Sequence, residues 1–366
     1  MSKIIAIGKA LPGHKHRQQE ILNFMSRVYA FSESDHRKLK HLYRQSGISH
    51  RYSVLADYSL PPEKWSFYPA TENLEPFPSI EKRMQCFNNM APALSETAIR
   101  NCLAGHLQAK EVTHLITITC TGLSAPGLDL QLMELLELPR HIFRTSINFM
   151  GCYAAIHGLK LADTICKTDP QAKVIVVCTE LCTLHFQQEP TLDNITSSLL
   201  FGDGSAAALI TADAYAAEGL HLEHFYSEVK PEGKQEMNWA LSSTGFIMTL
   251  RSYIPGLIEA DFNKLVKNAL NQGGYSKASI TSWCIHPGGR RILEAIAKSL
   301  DLPDDELDAS YEVLNEFGNM SSATILFVLD SILRKNPGGK PLRVFGAAFG
   351  PGLTMETFIA DACSTT

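Results

Sequence analysis

The sequence predicts an α/β protein in which helices cover both faces of a central sheet. Short runs rich in β-branched residues alternate with amphipathic stretches of helical length along the 366 residues, and the runs are apolar on both faces. This alternation is typical of a layered α/β/α architecture.

Six strands and six helices are expected, in chain order. The strands are Lys3–Ile7, Thr113–Thr119, Lys173–Cys178, Ala206–Ile210, Ser279–Ile285 and Leu342–Phe345. The helices are Glu81–Leu103, Gly127–Leu136, Tyr153–Lys167, Asp261–Gln272, Arg290–Leu300 and Ser322–Arg334. The segment Pro61–Pro78, rich in Pro and Glu, is expected to be irregular.

The chain is too long for one ordinary core and suits two domains or two fused halves. The composition changes near Ala212–Gly219, with comparable sets of strands and helices on either side. We therefore expect a first half over residues 1–212 and a second over residues 213–366, although no repeat is visible between them.

Composition argues against several classes of function. The net charge is −5 and the pI about 6.2, which disfavours a nucleic-acid partner. Nine scattered cysteines do not suggest a disulfide framework. Cys178, Cys182 and His185 could suggest a metal site, but no second ligand pair follows at zinc-like spacing. Met1–Ala10 is too short for a signal peptide and no run of about 18 apolar residues occurs, so we expect a cytoplasmic protein without a membrane span.

Cys152 lies between Gly151 and the predicted helix Tyr153–Lys167. A thiol at a helix N-terminus is favoured as the thiolate by the free N–H groups and the helix dipole. A structural cysteine is the alternative at this position.

Two further polar residues follow predicted elements. His286 ends the strand before Pro-Gly-Gly, at an edge where clefts form in α/β folds. Asn319 precedes the helix Ser322–Arg334. The alternatives are a hydrogen-bonded surface histidine and a turn or N-cap asparagine. Together with Cys152, however, they form a set suited to acyl transfer, because imidazole and amide N–H groups can both donate to an oxyanion.

The chain resembles the type III polyketide synthases, the chalcone-synthase-like branch of the thiolase superfamily. In the related enzymes that initiate fatty-acid synthesis the histidine is followed by Gln-Ala-Asn, whereas here Pro-Gly-Gly follows His286. The motifs that carry the resemblance are THLITITCTGLSAPGLD (Thr113–Asp129), INFMGCYAA (Ile147–Ala155), VIVVCTEL (Val174–Leu181), LLFGDGSAA (Leu199–Ala207), IHPGGRRIL (Ile285–Leu293), GNMSSAT (Gly318–Thr324) and GAAFGPGLTMET (Gly346–Thr357).

The resemblance implies a duplicated five-layer αβαβα thiolase fold, a homodimer and a bacterial-type member of the branch. It implies that Cys152 accepts the acyl group, as a thiolate held by His286 and the helix dipole, and that His286 and Asn319 assist malonyl decarboxylation. The cavity residues that it implies are Cys120, Thr121, His185, Phe201, Met248, Ser321, Phe349, Gly350, Pro351 and Gly352.

Three positions depart from the plant pattern. Met248 replaces the second gatekeeper phenylalanine, His185 replaces a threonine that shapes the cavity, and Ala125 replaces a methionine that reaches across the dimer. These departures argue against a chalcone-type product and favour a flexible alkyl starter.

Binding of coenzyme A is expected at the segment Arg37–Tyr52. Lys38 matches a basic residue of the family, whereas two other basic positions carry His41 and Gln45. Three cations are candidates to replace them: Lys40, Arg44 and Arg251. A solvated helix face is the alternative.

The predicted function is therefore iterative condensation of malonyl-CoA onto an acyl-CoA starter, with no metal and no cofactor besides the coenzyme A thioesters. The expected products are alkylpyrones or alkylresorcinols made from medium- or long-chain fatty acyl starters. Two alternatives stay open: an initiating ketoacyl synthase that uses acyl carrier protein and condenses once, and a catalytically idle partner protein.

Overall fold

The fold is seen in a computed structural model that describes residues 2–29, 31–71, 73–215, 217–250, 254–336 and 341–362. The helices are α1 (Gln18–Val28), α2 (Glu33–Gln45), α3 (Ile80–Leu103), α4 (Leu128–Leu135), α5 (Ala154–Thr168), α6 (Leu192–Leu200), α7 (Ile254–Gly273), α8 (Arg290–Leu300), α9 (Asp308–Phe317) and α10 (Thr324–Lys335). The strands are β1 (Ser2–Ala10), β2 (His14–Arg17), β3 (His50–Ser53), β4 (His114–Thr119), β5 (Phe143–Asn148), β6 (Lys173–Leu181), β7 (Asp203–Ala212), β8 (Leu220–Val229), β9 (Met237–Ser242), β10 (Gly245–Leu250), β11 (Ser282–Ile285), β12 (Leu342–Gly350) and β13 (Thr354–Ala362).

Nine strands form one mixed sheet in the order β11-β12-β13-β8-β1-β7-β6-β4-β5. Strand β4 is parallel to β5 and β6, and β11 is parallel to β12, whereas the other neighbours are antiparallel. Strands from the two predicted halves meet where β1 pairs with β8 over Ser2–Ile4.

Helices α5 and α10 form the middle layer of the molecule. Residues Thr324–Asp330 of α10 are all buried, as expected for a helix that is apolar on every side. Both helices share one core with strands from the two halves of the sheet, while α3, α7 and α8 pack in a second core on the outer faces. The layers therefore run from outer helices through one half of the sheet to α5 and α10, and then through the other half of the sheet to outer helices. This is the thiolase-type layering that the resemblance implies.

Gly158 shows how closely α5 packs on the sheet. A Cβ atom at this position would lie 2.7 Å from side-chain carbons of Ile118 and Val176. A larger residue at this position would require those side chains to shift, so glycine favours the close approach of α5 to β4 and β6.

The six predicted strands and six predicted helices are all present, with differences at their ends. The predicted strand Ser279–Ile285 begins at Ser282, because Lys277–Ser279 forms a 3₁₀ turn. The predicted helix Ser322–Arg334 begins at Thr324 for the same reason. Helix α5 begins at Ala154, so Cys152 precedes the helix by two residues and is not in its first turn.

Candidate active site

A tight turn between β5 and α5 presents Cys152. Phe149 and Gly151 have positive φ values of 58° and 85°. A Cβ atom on Gly151 would lie 2.2 Å from Cδ of Pro351, so the loop after β12 can pack here only against glycine. Cys152 is thereby fixed beneath the Phe-Gly-Pro-Gly segment, with 7% of its surface exposed.

The side chain of Asn319 is oriented by the turn that follows α9. Its Oδ1 accepts a hydrogen bond from the Ser321 N–H at 2.8 Å, and the Sγ of Cys152 lies 4.0 Å from the same oxygen. Its Nδ2 has only a 3.5 Å contact with the carbonyl of Gly288. The N-cap of α10 is Ala323, so Asn319 is not the cap and its amide N–H can donate to a bound oxygen.

His286 follows β11 and has a buried imidazole ring. Its backbone N–H donates to the carbonyl of Ala347 at 2.8 Å, and 1% of its surface is exposed. Among the described residues, neither ring nitrogen has a hydrogen-bond partner. Buried polar atoms are rarely left unpaired, so this ring is suited to binding a substrate atom.

Burial controls the protonation of the thiol and the imidazole. It raises the pKa of Cys152 to about 12, although hydrogen bonds with Ser321 and Asn319 act in the opposite direction. It lowers the pKa of His286 to about 3. Burial therefore favours a neutral thiol and a neutral imidazole at rest, because neither charge would be solvated. Cys152 lies directly before the N-cap residue Tyr153 of α5, and the thiolate stays a prediction.

Cys152 faces a small cavity of about 20 Å³, called the catalytic cavity below, with room for roughly one water molecule. Seven of the residues predicted for the site line it: Cys120, Thr121, Cys152, Phe201, Met248, Ser321 and Pro351. Its other lining residues, which the sequence analysis missed, are Gly151, Cys182, Met237 and Trp239. The indole N–H of Trp239 donates to the carbonyl of Cys120 at 2.6 Å, which fixes this large ring at the cavity wall.

Three members of the Phe349–Gly352 segment do not line the catalytic cavity, contrary to prediction. The ring of Phe349 packs against Phe262 in the core, at 5.5 Å between centroids. Gly350 lies beneath Tyr153, and Gly352 has a φ of 83° in the turn. These residues shape the backbone so that Pro351 reaches the cavity.

His185 lies in a neighbouring side cavity of about 40 Å³ rather than in the catalytic cavity. Its Nε2 lies 2.8 Å from the carbonyl of Thr121, and its Nδ1 accepts from the Phe246 N–H at 3.1 Å. Burial lowers its pKa to about 3. His185 therefore lines the side cavity, with its imidazole held in place by two backbone contacts and kept neutral by burial.

Glu180 supports the catalytic cavity from behind and was not predicted as a site residue. This fully buried carboxylate accepts from the Cys120 N–H and the Thr121 hydroxyl, each at 2.9 Å, and from the Ser322 hydroxyl at 2.5 Å. Burial raises its pKa. A glutamate inside the otherwise apolar run VIVVCTEL was the signal available in the sequence.

An entrance cavity of about 250 Å³ opens on the other side of Gly288. Its wall is mostly apolar and includes Leu42, Leu192, Leu200 and Leu250. Gly288 contributes to this wall, and its carbonyl contacts Asn319. The entrance cavity is therefore linked to the Asn319 amide through Gly288.

The predicted coenzyme A cations do not line the entrance cavity. Lys38 pairs with Asp35 and has 72% of its side chain exposed, while Lys40 and Arg44 lie on the exposed face of α2. Charged side chains are rarely buried without a partner, so this face of α2 stays in solvent. Arg251 lies outside the described residues.

Within the described ranges, no group of three or more His, Cys, Asp and Glu side chains is arranged to bind a metal ion. None of the helices in those ranges has the length and apolarity needed to cross a bilayer.

The layered α/β fold and a cavity that holds a thiol beside an amide are consistent with an acyltransferase. The profile of the chalcone and stilbene synthase N-terminal domain matches residues 1–214, and that of the C-terminal domain matches residues 221–364. The chain belongs to the chalcone and stilbene synthase family, and it is a type III polyketide synthase that forms carbon–carbon bonds by Claisen condensation.

Individual relatives agree with this assignment. The chain is 29% identical over 370 residues to "Type III polyketide synthase C" of Arabidopsis thaliana, covering 97% of this chain and 94% of the relative. It is 30% identical over 363 residues to "Probable polyketide synthase 1" of Dictyostelium discoideum, of whose length it spans 11%.

Two solved structures have the same fold. PKS-I from the brown alga Ectocarpus siliculosus superposes with a TM-score of 0.92 at 26% identity, covering 99% of this chain and 98% of the other. The C-terminal type III polyketide synthase domain of Steely1, a type I/III hybrid from Dictyostelium, gives 0.91 at 27% identity and covers 99% of both chains.

Proposed function

We propose that the protein transfers a medium- or long-chain fatty acyl group from coenzyme A to Cys152, extends it with malonyl-CoA, and forms an alkylpyrone or alkylresorcinol. One observation carries this proposal. Cys152 contacts the amide of Asn319, and that amide contacts Gly288, which lines the apolar entrance cavity and lies two residues after the unpartnered imidazole of His286. That arrangement fits a thioester that enters from the solvent side and reacts at the thiol.

Starter loading needs a base, because the thiol is protonated at rest. The neutral imidazole of His286 takes the proton of Cys152 as Sγ attacks the thioester carbonyl. The departing coenzyme A thiolate then receives that proton. The uncharged ring has no hydrogen-bond partner among the described residues, so one of its nitrogens is free to accept this proton.

Malonyl decarboxylation needs hydrogen-bond donors. Loss of carbon dioxide from malonyl-CoA leaves an enolate oxygen, which accepts hydrogen bonds from the Asn319 Nδ2 and a His286 ring N–H. The enolate carbon attacks the Cys152 thioester and expels the cysteine thiolate, which lengthens the chain by two carbons. Each oriented donor is worth about 10²–10³ in rate.

The side cavity supports an alkyl starter. It shares Cys182, Phe201, Trp239 and Met248 with the catalytic cavity, so those four residues form a partition between the two. A flexible methionine in such a partition can change rotamer and admit a chain.

Three hydroxyl groups around the side cavity are already hydrogen-bonded to protein atoms. The hydroxyl of Tyr58 donates to the carbonyl of Thr183 at 2.7 Å, and those of Ser197 and Ser198 donate to carbonyls in α6 at 2.8 and 2.7 Å. Ile21, Met25 and Phe186 add apolar surface, whereas the buried Arg51 lines the cavity with an Nη2 that has no partner among the described residues. An alkyl chain can pack on the apolar part without leaving the three hydroxyl groups unpaired.

We further propose a homodimer formed at the β5 edge of the sheet. Strand β5 has β4 as its only neighbour in the described sheet, and Phe143 on it is 70% exposed. Exposed edges with large apolar side chains favour association. The cytoplasmic location and the bacterial-type assignment stay predictions.

A product screen tests the proposed activity. The protein is supplied with malonyl-CoA and acetyl-, hexanoyl-, lauroyl-, palmitoyl-, benzoyl- or p-coumaroyl-CoA, and the products are analysed by mass spectrometry. We expect triketides and tetraketides from the fatty acyl starters, lost in Cys152→Ala and kept in Cys86→Ala, which changes a cysteine outside the cavity. Turnover of aromatic starters alone would refute the fatty acyl proposal, and a single extension would favour an initiating ketoacyl synthase.

A further inference from the structure

Arg51 is a buried cation outside the set of residues that transfers the acyl group. It lies on β3, and only 3% of its surface is exposed. Its Nε donates to Oε1 of Gln18 at 3.0 Å, and its Nη1 donates to the carbonyl of Phe201 at 2.6 Å. Within the described ranges it forms no ion pair with a carboxylate. Burying a charge is unfavourable unless polar groups replace its water, and here the dipoles of an amide and a carbonyl do so.

The carbonyl that Arg51 binds belongs to the C-cap residue of α6. The last carbonyls of a helix have no partner within the helix, and its dipole makes this end favourable for a cation. Three successive carbonyls at this end are bound by groups from outside α6: that of Leu199 by Nε2 of Gln18 at 2.9 Å, that of Leu200 by the backbone N–H of Asn319 at 2.9 Å, and that of Phe201 by Arg51. Arg51 and Asn319 therefore bind neighbouring groups of the same helix end.

The backbone of Asn319 is fixed to this helix end on both sides. Its N–H donates to the carbonyl of Leu200, and its own carbonyl accepts from the N–H of Gly202 at 2.9 Å. Asn319 and Phe201 form an isolated β-bridge by these two bonds. The position of the Asn319 side chain consequently depends on where α6 ends.

The side chain of Arg51 packs against both segments of this bridge. A Cβ atom on Gly318 would lie 2.9 Å from Cγ and Cδ of Arg51, and one on Gly202 would lie 3.5 Å from its Cβ. Gly318 directly precedes Asn319, and Gly202 directly follows Phe201. A change at Arg51 would therefore reach the backbone of Asn319 through packing as well as through the end of α6.

We propose that Arg51 is a positioning residue for malonyl decarboxylation, which holds the end of α6 so that the Asn319 amide presents its N–H to the enolate oxygen. The residue acts through the backbone and not on the reacting atoms. This inference rests on the proposed role of Asn319 as a donor, and it adds the residue that keeps that donor in place.

A double-mutant cycle on the decarboxylation rate tests the inference. Arg51→Met removes both hydrogen bonds and keeps most of the stem. We expect it to lower kcat for release of labelled carbon dioxide from malonyl-CoA about tenfold with KM unchanged, because small displacements of an oriented group are costly. In the Asn319→Ala background, Arg51→Met should change the rate by less than about threefold, since the group that it positions is already absent.

The conservative variant Arg51→Lys keeps the charge and can keep one of the two hydrogen bonds. It should therefore recover part of the rate lost in Arg51→Met. The same cycle run with Arg51→Lys gives the test if the methionine variant does not fold. Rates are divided by the fraction of protein that a single turnover acylates at Cys152, so that unfolded protein is not counted.

Arg83→Met is the matched control. Arg83 is also fully buried and donates to two carbonyls, those of Pro78 and Leu184, but neither lies at the end of α6. We expect Arg83→Met to leave the normalised decarboxylation rate within about threefold of wild type. A loss as large as that in Arg51→Met would assign the effect to the core in general and overturn the inference.

The outcomes separate this inference from the proposed function. If Asn319→Ala slows decarboxylation and Arg51→Met slows it by a further tenfold in that background, Arg51 acts elsewhere and the inference is overturned. An unchanged rate in the single variant Arg51→Met would overturn it as well. If Asn319→Ala keeps the wild-type rate, the proposed donor role is refuted and the inference falls with it.

Discussion

Replacing Asn319 by aspartate or alanine separates its role as a donor from its role in the turn. In the aspartate variant the oxygen that accepts from the Ser321 N–H at 2.8 Å is kept, but the amide N–H is lost. In the alanine variant both are lost. Loss of one oriented donor should slow malonyl-CoA decarboxylation by about 10²–10³-fold in both variants.

The aspartate variant should have a second defect, in starter loading. Its carboxylate would stand near the position of Oδ1, which is 4.0 Å from the Sγ of Cys152. Two unit charges at that distance repel by about 4 kcal/mol at an effective dielectric constant of ~20. The thiolate that forms during attack is therefore disfavoured by about three pKa units, so acylation should be far slower in Asn319→Asp than in Asn319→Ala.

Two assays resolve the steps. Release of labelled carbon dioxide from malonyl-CoA measures decarboxylation, and intact-protein mass spectrometry of a single turnover measures acylation of Cys152. Thermal unfolding controls for the turn, because the alanine variant leaves the Ser321 N–H unpaired and should lose about 1–3 kcal/mol. Decarboxylation within threefold of wild type in Asn319→Asp would refute the donor role.

Four further results are expected. Alkylation of Cys152 by iodoacetamide should rise about tenfold per pH unit from pH 7 to 9, since its pKa is raised to about 12, and a flat rate would contradict this. Trp239→Ala should join the catalytic and side cavities, so that the protein accepts starters with longer acyl chains when its products are analysed by mass spectrometry. An unchanged starter preference would contradict this role of Trp239. Phe143→Glu should convert the proposed dimer to a monomer and halve the mass measured by sedimentation. An unchanged mass would contradict an interface at the β5 edge. Burial alone would raise the pKa of Glu356, but hydrogen bonds from His157 and Ser227 hold this pKa below its ordinary value. The ionised carboxylate therefore stabilises the fold fully above its pKa in the unfolded chain, and this stability is lost as the pH falls through its pKa in the folded protein. Glu356→Gln should consequently make the free energy of unfolding, measured by acid denaturation, depend less on pH.

The local placement of Cys152 and His286 could be predicted, because a stretch of helical spacing follows Cys152 and an apolar run precedes His286. Cys152 follows β5, and His286 follows β11. Their protonation could not be predicted in this way. The pKa of a thiol depends on how completely the surrounding chain excludes water, and the layers that bury Cys152 come from distant segments.

The lining of the cavities was harder to predict for a related reason. Trp239 lies on β9, part of a hairpin outside the main sheet, and no local pattern indicates that its ring reaches Cys120. Arg290 and Arg291 belong to the motif IHPGGRRIL, yet only the folded chain brings them to the wall of the entrance cavity. Sequence spacing along α2 could not reveal that Leu42, Gln45 and Ser46, rather than its cations, line that cavity.

The central claim is that Cys152 carries the growing acyl chain. Its most direct test is peptide mass spectrometry after rapid quenching of the protein with lauroyl-CoA and malonyl-CoA. We predict a lauroyl adduct on the Cys152 peptide, which malonyl-CoA converts to free extended product, and no adduct in Cys152→Ala. An acyl group on any other cysteine, or product formed by the Cys152→Ala protein, would contradict the account.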